Sequence, residues 1–146
     1  MKKKIIVIDD EPLIATLLKE LIEDEPDMEV AQVATRKEEF LGMVTQDVFD
    51  IALIDISVGG REGGLELLQI LKMKGIKLPA ITLSAHDEAD YGIKCLQAGA
   101  RGYVNKNSIC ADLVRGVREV LGGQLFISGD KGVYILRQYK KLTAVA

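Results

Sequence analysis

The stretch "IIVIDDEP", Ile5 to Pro12, decides the reading of this chain. Four apolar residues, three of them isoleucine, run straight into Asp9, Asp10 and Glu11, and Pro12 follows. A continuous run of branched apolar side chains is how a strand buried on both faces reads. Pro12 suits the first turn of a helix, where its missing N–H has no partner to lose. Carboxylates crowded at a strand mouth repel one another and raise each other's pKa. The stretch therefore predicts a buried strand ending in a site that supplies an opposing charge.

Outward from it, the chain alternates. Leu13, Ile14, Leu17, Leu18, Leu21 and Ile22 recur at helical spacing. "MEVAQVA", 28–34, is a second strand, and Thr35 with Glu38 reads as a capping box for a helix through Phe40, Leu41 and Val44. "DIALID", 50–55, is another apolar strand ending in acid, at Asp55. The glycine-rich loop "SVGGREGG", 57–64, leads to a helix with Leu65, Leu68 and Leu71 that stops near Gly75. "LPAITLS", 78–84, is the fourth strand; the helix after His86-Asp87 carries Ile93 and Leu96 and ends at Gly99. "ARGYVNK", 100–106, is a short fifth strand, and Ser108 is expected to cap a last helix through Leu113, Val117 and Val120 to Gly122.

Strands alternating with helices in this way imply a parallel sheet covered on both faces. Open sheets of this kind bind ligands outside the carboxyl ends of their strands. Asp9, Asp10, Asp55, Ser84 and Lys106 all fall at those ends. In the flavodoxin-like order 2-1-3-4-5 the first and third strands are neighbours, which brings Asp9, Asp10 and Asp55 into one pocket. Such a cluster suits a hard divalent cation, and Mg²⁺ fits best because it takes one or two carboxylates plus waters and a substrate phosphate. Lys106 reads as a structural ion pair or a phosphate contact, and Ser84 as a helix cap or a second phosphate contact.

Composition sets the outer bounds. The 146 residues, 48% hydrophobic and 28% charged, suit one well-packed domain. A net charge of −3 does not fit a nucleic-acid-gripping surface. Cys95 and Cys110 match no metal-ligand spacing and are expected to be reduced, partly buried thiols. No apolar run approaches the ~20 residues that span a bilayer, and "MKKK" is too short for a targeting peptide. A cytoplasmic protein without membrane contact is expected.

"VIDDEP", "LIDISVGG", "LSAHDE" and "AGARGYVNK", in that order and at these spacings, resemble the receiver domain of two-component response regulators. The last two segments are similar to its NarL/FixJ branch. The resemblance covers roughly residues 4–121. It implies a flavodoxin-like (βα)₅ fold, with Asp55 phosphorylated by a sensor histidine kinase. By position it implies Asp10 as a direct Mg²⁺ ligand, Asp9 as a ligand through water, and the Ser57 backbone carbonyl and Asp55 completing the set. It implies Lys106 and Ser84 on phosphoryl oxygens, and Tyr103 as the switch aromatic that turns inward. The responding surface would be the fourth helix, fifth strand and fifth helix, where family members commonly dimerise.

Two positions depart from the family pattern. Gly59 replaces the usual proline four residues after the acceptor, and Asn107 stands where many receivers carry a cis-proline. Ser57 and His86, each two residues beyond a rim position, are candidates for tuning hydrolysis of the acyl phosphate, with a plain exposed histidine the alternative for His86.

The tail "QLFISGDKGVYILRQYKKLTAVA", 124–146, has turn chemistry at Ser128–Asp130 and then Val133, Leu136 and Tyr139 at helical spacing. The resemblance makes 1–121 the receiver and 122–146 a linker towards a helix-turn-helix output domain, which in that branch begins near a Leu-Thr pair such as Leu142-Thr143. DNA would be reached only through that absent domain. Either the sequence is cut at this boundary or the protein ends here. A dehydrogenase-type nucleotide fold would need G-x-G-x-x-G where "DDEP" stands. An aspartyl-phosphate phosphohydrolase would leave Asp55 unexplained, and an FMN-binding protein would want a Ser/Thr-rich loop in place of the acids. The remaining alternative is a pseudo-receiver, which keeps the fold without phosphorylation.

Overall fold

Alternate residues of each apolar strand point to opposite faces, and the chain fills both. In a computed structural model, residues 1–144 are described; Val145 and Ala146, the last two residues of the expected linker, lie outside them. The elements are β1 (Lys3–Ile8), α1 (Pro12–Glu23), β2 (Met28–Ala34), α2 (Lys37–Gln46), β3 (Ile51–Asp55) and α3 (Gly63–Met73), then β4 (Ala80–Ser84), α4 (Glu88–Gln97) and β5 (Gly102–Asn105). A 3₁₀ turn at Lys106–Ser108 leads into α5 (Ile109–Leu121), followed by β6 (Phe126–Ile127) and α6 (Gly132–Ala144).

The sheet is parallel throughout, in the order β2-β1-β3-β4-β5-β6. Ile6, Ile8, Ala52 and Ile54 face α2, α3 and α4 through Phe40, Leu68 and Leu96. Ile5, Val7, Ile51 and Leu53 face α1 and α5 through Leu18, Ile22, Leu113 and Val117. The flavodoxin-like order 2-1-3-4-5 is present, with one strand more than the sequence predicts.

That strand comes from the expected linker. Phe126 and Ile127 pair with Gly102 and Tyr103 of β5, and α6 packs against α4. Residues 126–144 are therefore seated on the sheet and its flanking helices rather than extended away from them.

Two caps differ from expectation. Thr35 caps nothing: α2 begins after Arg36, and Glu39 instead reaches back to accept the Thr35 N–H at 2.7 Å. Ser108 makes no side-chain cap either. The turn before α5 is held by Asn105, whose Oδ1 accepts the Asn107 N–H at 2.8 Å. Cys95 is buried, whereas Cys110 is exposed rather than partly buried. No helix among the described residues is long and apolar enough to cross a membrane.

Candidate functional site

Strands β1, β3, β4 and β5 end together on one rim. Their parallel register places Ile8 beside Ile54, Asp55 beside Leu83, and Ser84 beside Asn105. The residue after each apolar run is thereby carried to the same edge, and the polar groups there converge because the strands stop together.

Asp55 is fully buried and Asp9 nearly so. Asp55 Oδ1 accepts the Ser57 N–H at 3.1 Å and the Ser57 hydroxyl at 3.0 Å, and lies 3.3 Å from Lys106 Nζ. Asp9 Oδ1 accepts the Glu11 N–H at 2.8 Å. The other oxygen of each acid, Asp9 Oδ2 and Asp55 Oδ2, is buried without a hydrogen-bond partner. Buried polar atoms are rarely left so, and a paired set at one rim marks a place where a ligand belongs. Oxygens of Asp9, Glu11 and Asp55 lie within 4.8 Å of one another. A buried all-oxygen donor set with two uncommitted carboxylate oxygens fits a hard divalent cation.

Lys106 balances this charge. Its ammonium sits 2.8 Å from Glu11, 3.3 Å from Asp55 and 3.8 Å from Asp9, with the side chain 13% exposed. Burial opposes its charge, but the hydrogen bond it donates to Glu11 and the fields of Asp55 and Asp9 outweigh that and hold it above the ordinary lysine value. Burial likewise opposes the charge of Asp9 and pushes its pKa up to about 6, against the Glu11 N–H that favours its anion; the nearby Asp55 charge adds to the rise.

Asp10, expected beside Asp9 in the pocket, is exposed and outside the converging set. Glu11 takes the third place there because its longer side chain reaches Lys106 across the rim. Consecutive acids leave a strand pointing in different directions, so their spacing alone could not tell which one turns in; the adjacent proline and the lysine opposite were the available signals.

The β3–α3 loop is built for a tight reversal. Gly59 and Gly60 have φ of 70° and 137°, backbone that side-chain-bearing residues rarely adopt. This is what glycine in place of the expected proline allows. The Ser57 carbonyl accepts the Gly60 N–H at 3.2 Å and keeps a second lone pair. Ser84 is buried, and its Oγ accepts the His86 N–H at 3.0 Å. His86 is exposed, with its ring stacked on Tyr91 at 4.4 Å. Tyr103 is already turned inward and fully buried, and its hydroxyl donates to the His86 carbonyl, which also accepts Asn105 Nδ2 at 3.0 Å. Burial raises the Tyr103 phenol well above its ordinary value, so it stays a donor. Asn105 was not singled out in the sequence, although its place just before Lys106 on β5 was the signal for it.

Comparison with known proteins gives this geometry a family. UvrY, a response regulator of Escherichia coli K12, is 29% identical over 126 residues, covering 86% of this chain and 57% of its own. The response regulator GacA of Pseudomonas syringae pv. syringae is 30% identical over 125 residues, with 86% and 58% covered. This chain thus spans just over half the length of these relatives. The crystal structure of a LuxR-family two-component response regulator from an Aurantimonas species superposes over 100% of both chains with a TM-score of 0.81 at 23% identity, a likeness of fold. A family model described as the response regulator receiver domain matches residues 5–118, most of the chain, and to that family the chain belongs.

Proposed function

We propose that Asp55 is the phospho-acceptor of a two-component switch, taking its phosphoryl group from the phosphohistidine of a sensor histidine kinase. One observation carries this reading: Asp55 sits buried at the end of β3 with Oδ2 uncommitted, while its Oδ1 is held by Ser57 and Lys106. Attack by Oδ2 forms a new P–O bond as the P–N bond of the phosphohistidine breaks, and the imidazole leaves with the electron pair. Ser57 and Lys106 fix the carboxylate for in-line approach, which supplies most of the catalysis in phosphoryl transfer. Lys106 is already charged beside the position the phosphoryl oxygens would take, and the Ser84 hydroxyl, which accepts the His86 N–H, has its own proton to donate to another.

Asp9 and Asp55, with the Ser57 carbonyl and Asp10 turned in from its exposed position, would hold Mg²⁺; Glu11 would then serve Lys106. The cation supplies charge neutralisation on the phosphoryl oxygens. Signalling follows as a population shift of the β4–α4 loop and its neighbours. Ser57 and His86 are proposed to set the lifetime of the acyl phosphate through the access of water, a self-assisted dephosphorylation rather than turnover of an outside substrate. The longer relatives support a further proposal, that the switch serves a DNA-binding output domain in the cytoplasm and that a second copy pairs near α4, β5 and α5.

The test is intact mass after incubation with Mg²⁺ and a small acyl phosphate, wild type beside Asp55→Asn. One phosphoryl group gained by the wild type alone is the expected result. No gain by a folded wild type overturns the reading and leaves a pseudo-receiver.

A further inference from the structure

Phe126, Ile127 and Ser128 are buried, and Ile135 of α6 packs in behind them. Phe126 N–H donates to the Arg101 carbonyl at 3.1 Å, and Ser128 N–H to the Tyr103 carbonyl at 2.9 Å. Each element beneath carries a glycine where the segment presses closest. A Cβ at Gly116 in α5 would meet the Phe126 ring at 2.8 Å, one at Gly92 in α4 would meet Ile127 at 3.1 Å, and one at Gly102 in β5 would meet the Phe126 carbonyl at 3.3 Å. Glycine is a poor helix former. Two of them buried mid-helix are explained by what lies on them.

Ser128 joins this seat to the rim. It is fully buried; its Oγ accepts the Asn105 N–H at 2.8 Å and donates to Glu88, the first residue of α4, at 3.0 Å. Asn105 and Tyr103 both donate to the His86 carbonyl, and His86 N–H donates to Ser84. A continuous hydrogen-bonded chain therefore runs from Ser84, beside the site, through the β4–α4 loop to the C-terminal segment. The opposite flank is pinned by Asp112 of α5, which accepts the Gly129 N–H at 3.0 Å.

We propose that Ser128 is a latch holding β6 and α6 on the α4–β5–α5 face, and that phosphorylation of Asp55 loosens it by drawing Ser84 and its loop towards the phosphoryl group. This rests on the phospho-acceptor reading above. The face that would carry the signal is occupied by the chain's own segment, so a partner meets α6, with Val133 and Tyr134 exposed on it, or displaces it.

The experiment is hydrogen–deuterium exchange on the full chain, with and without Mg²⁺ and an acyl phosphate, with intact mass read on the same samples. Phosphorylation should speed exchange in residues 126–139. Ser128→Ala, which removes one oxygen, should speed it in the unphosphorylated chain by on the order of tenfold, the effect of losing a buried hydrogen bond to a charged group. The phosphorylation-dependent difference should then disappear in the variant. A wild type that gains the phosphoryl mass with unchanged exchange in this segment overturns the latch and leaves the acceptor reading intact, as does Ser128→Ala with the full wild-type response. Absence of any mass gain overturns the acceptor reading, and the coupling with it.

Discussion

Asp9 is the residue at which the proposed function and stability pull against each other. It is 1% exposed, and burial raises its pKa from 3.8 to about 6. A carboxyl whose folded value is raised keeps a proton that the unfolded chain releases, so stability falls as pH climbs from about 4 to about 6, and above that the whole cost is present. In metal-free buffer Asp9→Asn should therefore stabilise the domain at pH 7 by on the order of 2 kcal/mol. The gain should shrink towards zero near pH 4, read by urea unfolding across that range. A variant no more stable than wild type at pH 7 would mean that Lys106 already compensates the charge. Saturating Mg²⁺ should raise the wild-type melting temperature and leave that of Asp9→Asn nearly unmoved. The neighbouring acids can be told apart in the same way. If Asp10 turns in to hold the ion, Asp10→Asn weakens Mg²⁺ binding by about tenfold, the scale of one lost charged ligand, while Glu11→Gln changes it far less. Calorimetric titration giving the reverse order would make Glu11 the ligand.

At the scale of elements, the site depends on how closely α3 approaches the loop after Asp55. A Cβ at Gly64 would lie 2.7 Å from both the Asp55 carbonyl oxygen and the Ile56 Cα, backbone atoms that cannot step aside. The Gly64 N–H also donates to the Ile56 carbonyl at 2.8 Å, fastening the helix start beneath Asp55. Gly64→Ala should destabilise by about 2–4 kcal/mol and slow phosphoryl uptake as well, because Ser57 rides on the same loop. Gly42, inside α2 with open space around its Cα, is the contrast: Gly42→Ala should stabilise by about 0.5–1 kcal/mol and leave phosphorylation unaffected. Denaturant midpoints for the pair measure this directly. The same element scale explains what could be read in the sequence. β1 and β3 were legible because burial on both faces forces unbroken apolar runs, and Asp9 and Asp55 were legible because a strand end has a fixed place in such a sheet. The caps of α2 and α5 were not, since Thr35, Glu38 and Ser108 are chemically able to cap and only the backbone angles decide whether they do. β6 was not legible either: two residues carry no periodicity, and their pairing depends on a vacancy at the edge of β5 that belongs to the tertiary fold. Gly92 and Gly116 were in plain view, but their meaning appears only with Phe126 and Ile127 lying over them.

For the whole molecule, residues beyond the expected boundary near 121 take part in the sheet and its core. Phe126, Ile127 and Ile135 are 7%, 3% and 6% exposed, so all three are core side chains contributed from beyond α5. Burial of each is worth about 1.5–3 kcal/mol, and the ordering entropy of the segment opposes the sum. Ending the chain after Gly123 should consequently cost about 2–4 kcal/mol net rather than the near-zero effect of removing a linker. It should also bare the edge of β5, leaving the Arg101 and Tyr103 carbonyls and the Asn105 N–H without the partners they have now. Exposed strand edges recruit other strands, so the shortened chain should self-associate at concentrations where the full chain does not. Urea unfolding and sedimentation velocity, run side by side on the two lengths, measure both effects. An unchanged midpoint with a monomeric shortened chain would make the segment a linker resting on the surface; a lowered midpoint with association would make it the sixth strand and outer helix of the domain, and the α4–β5–α5 face an internal surface that signalling has to open.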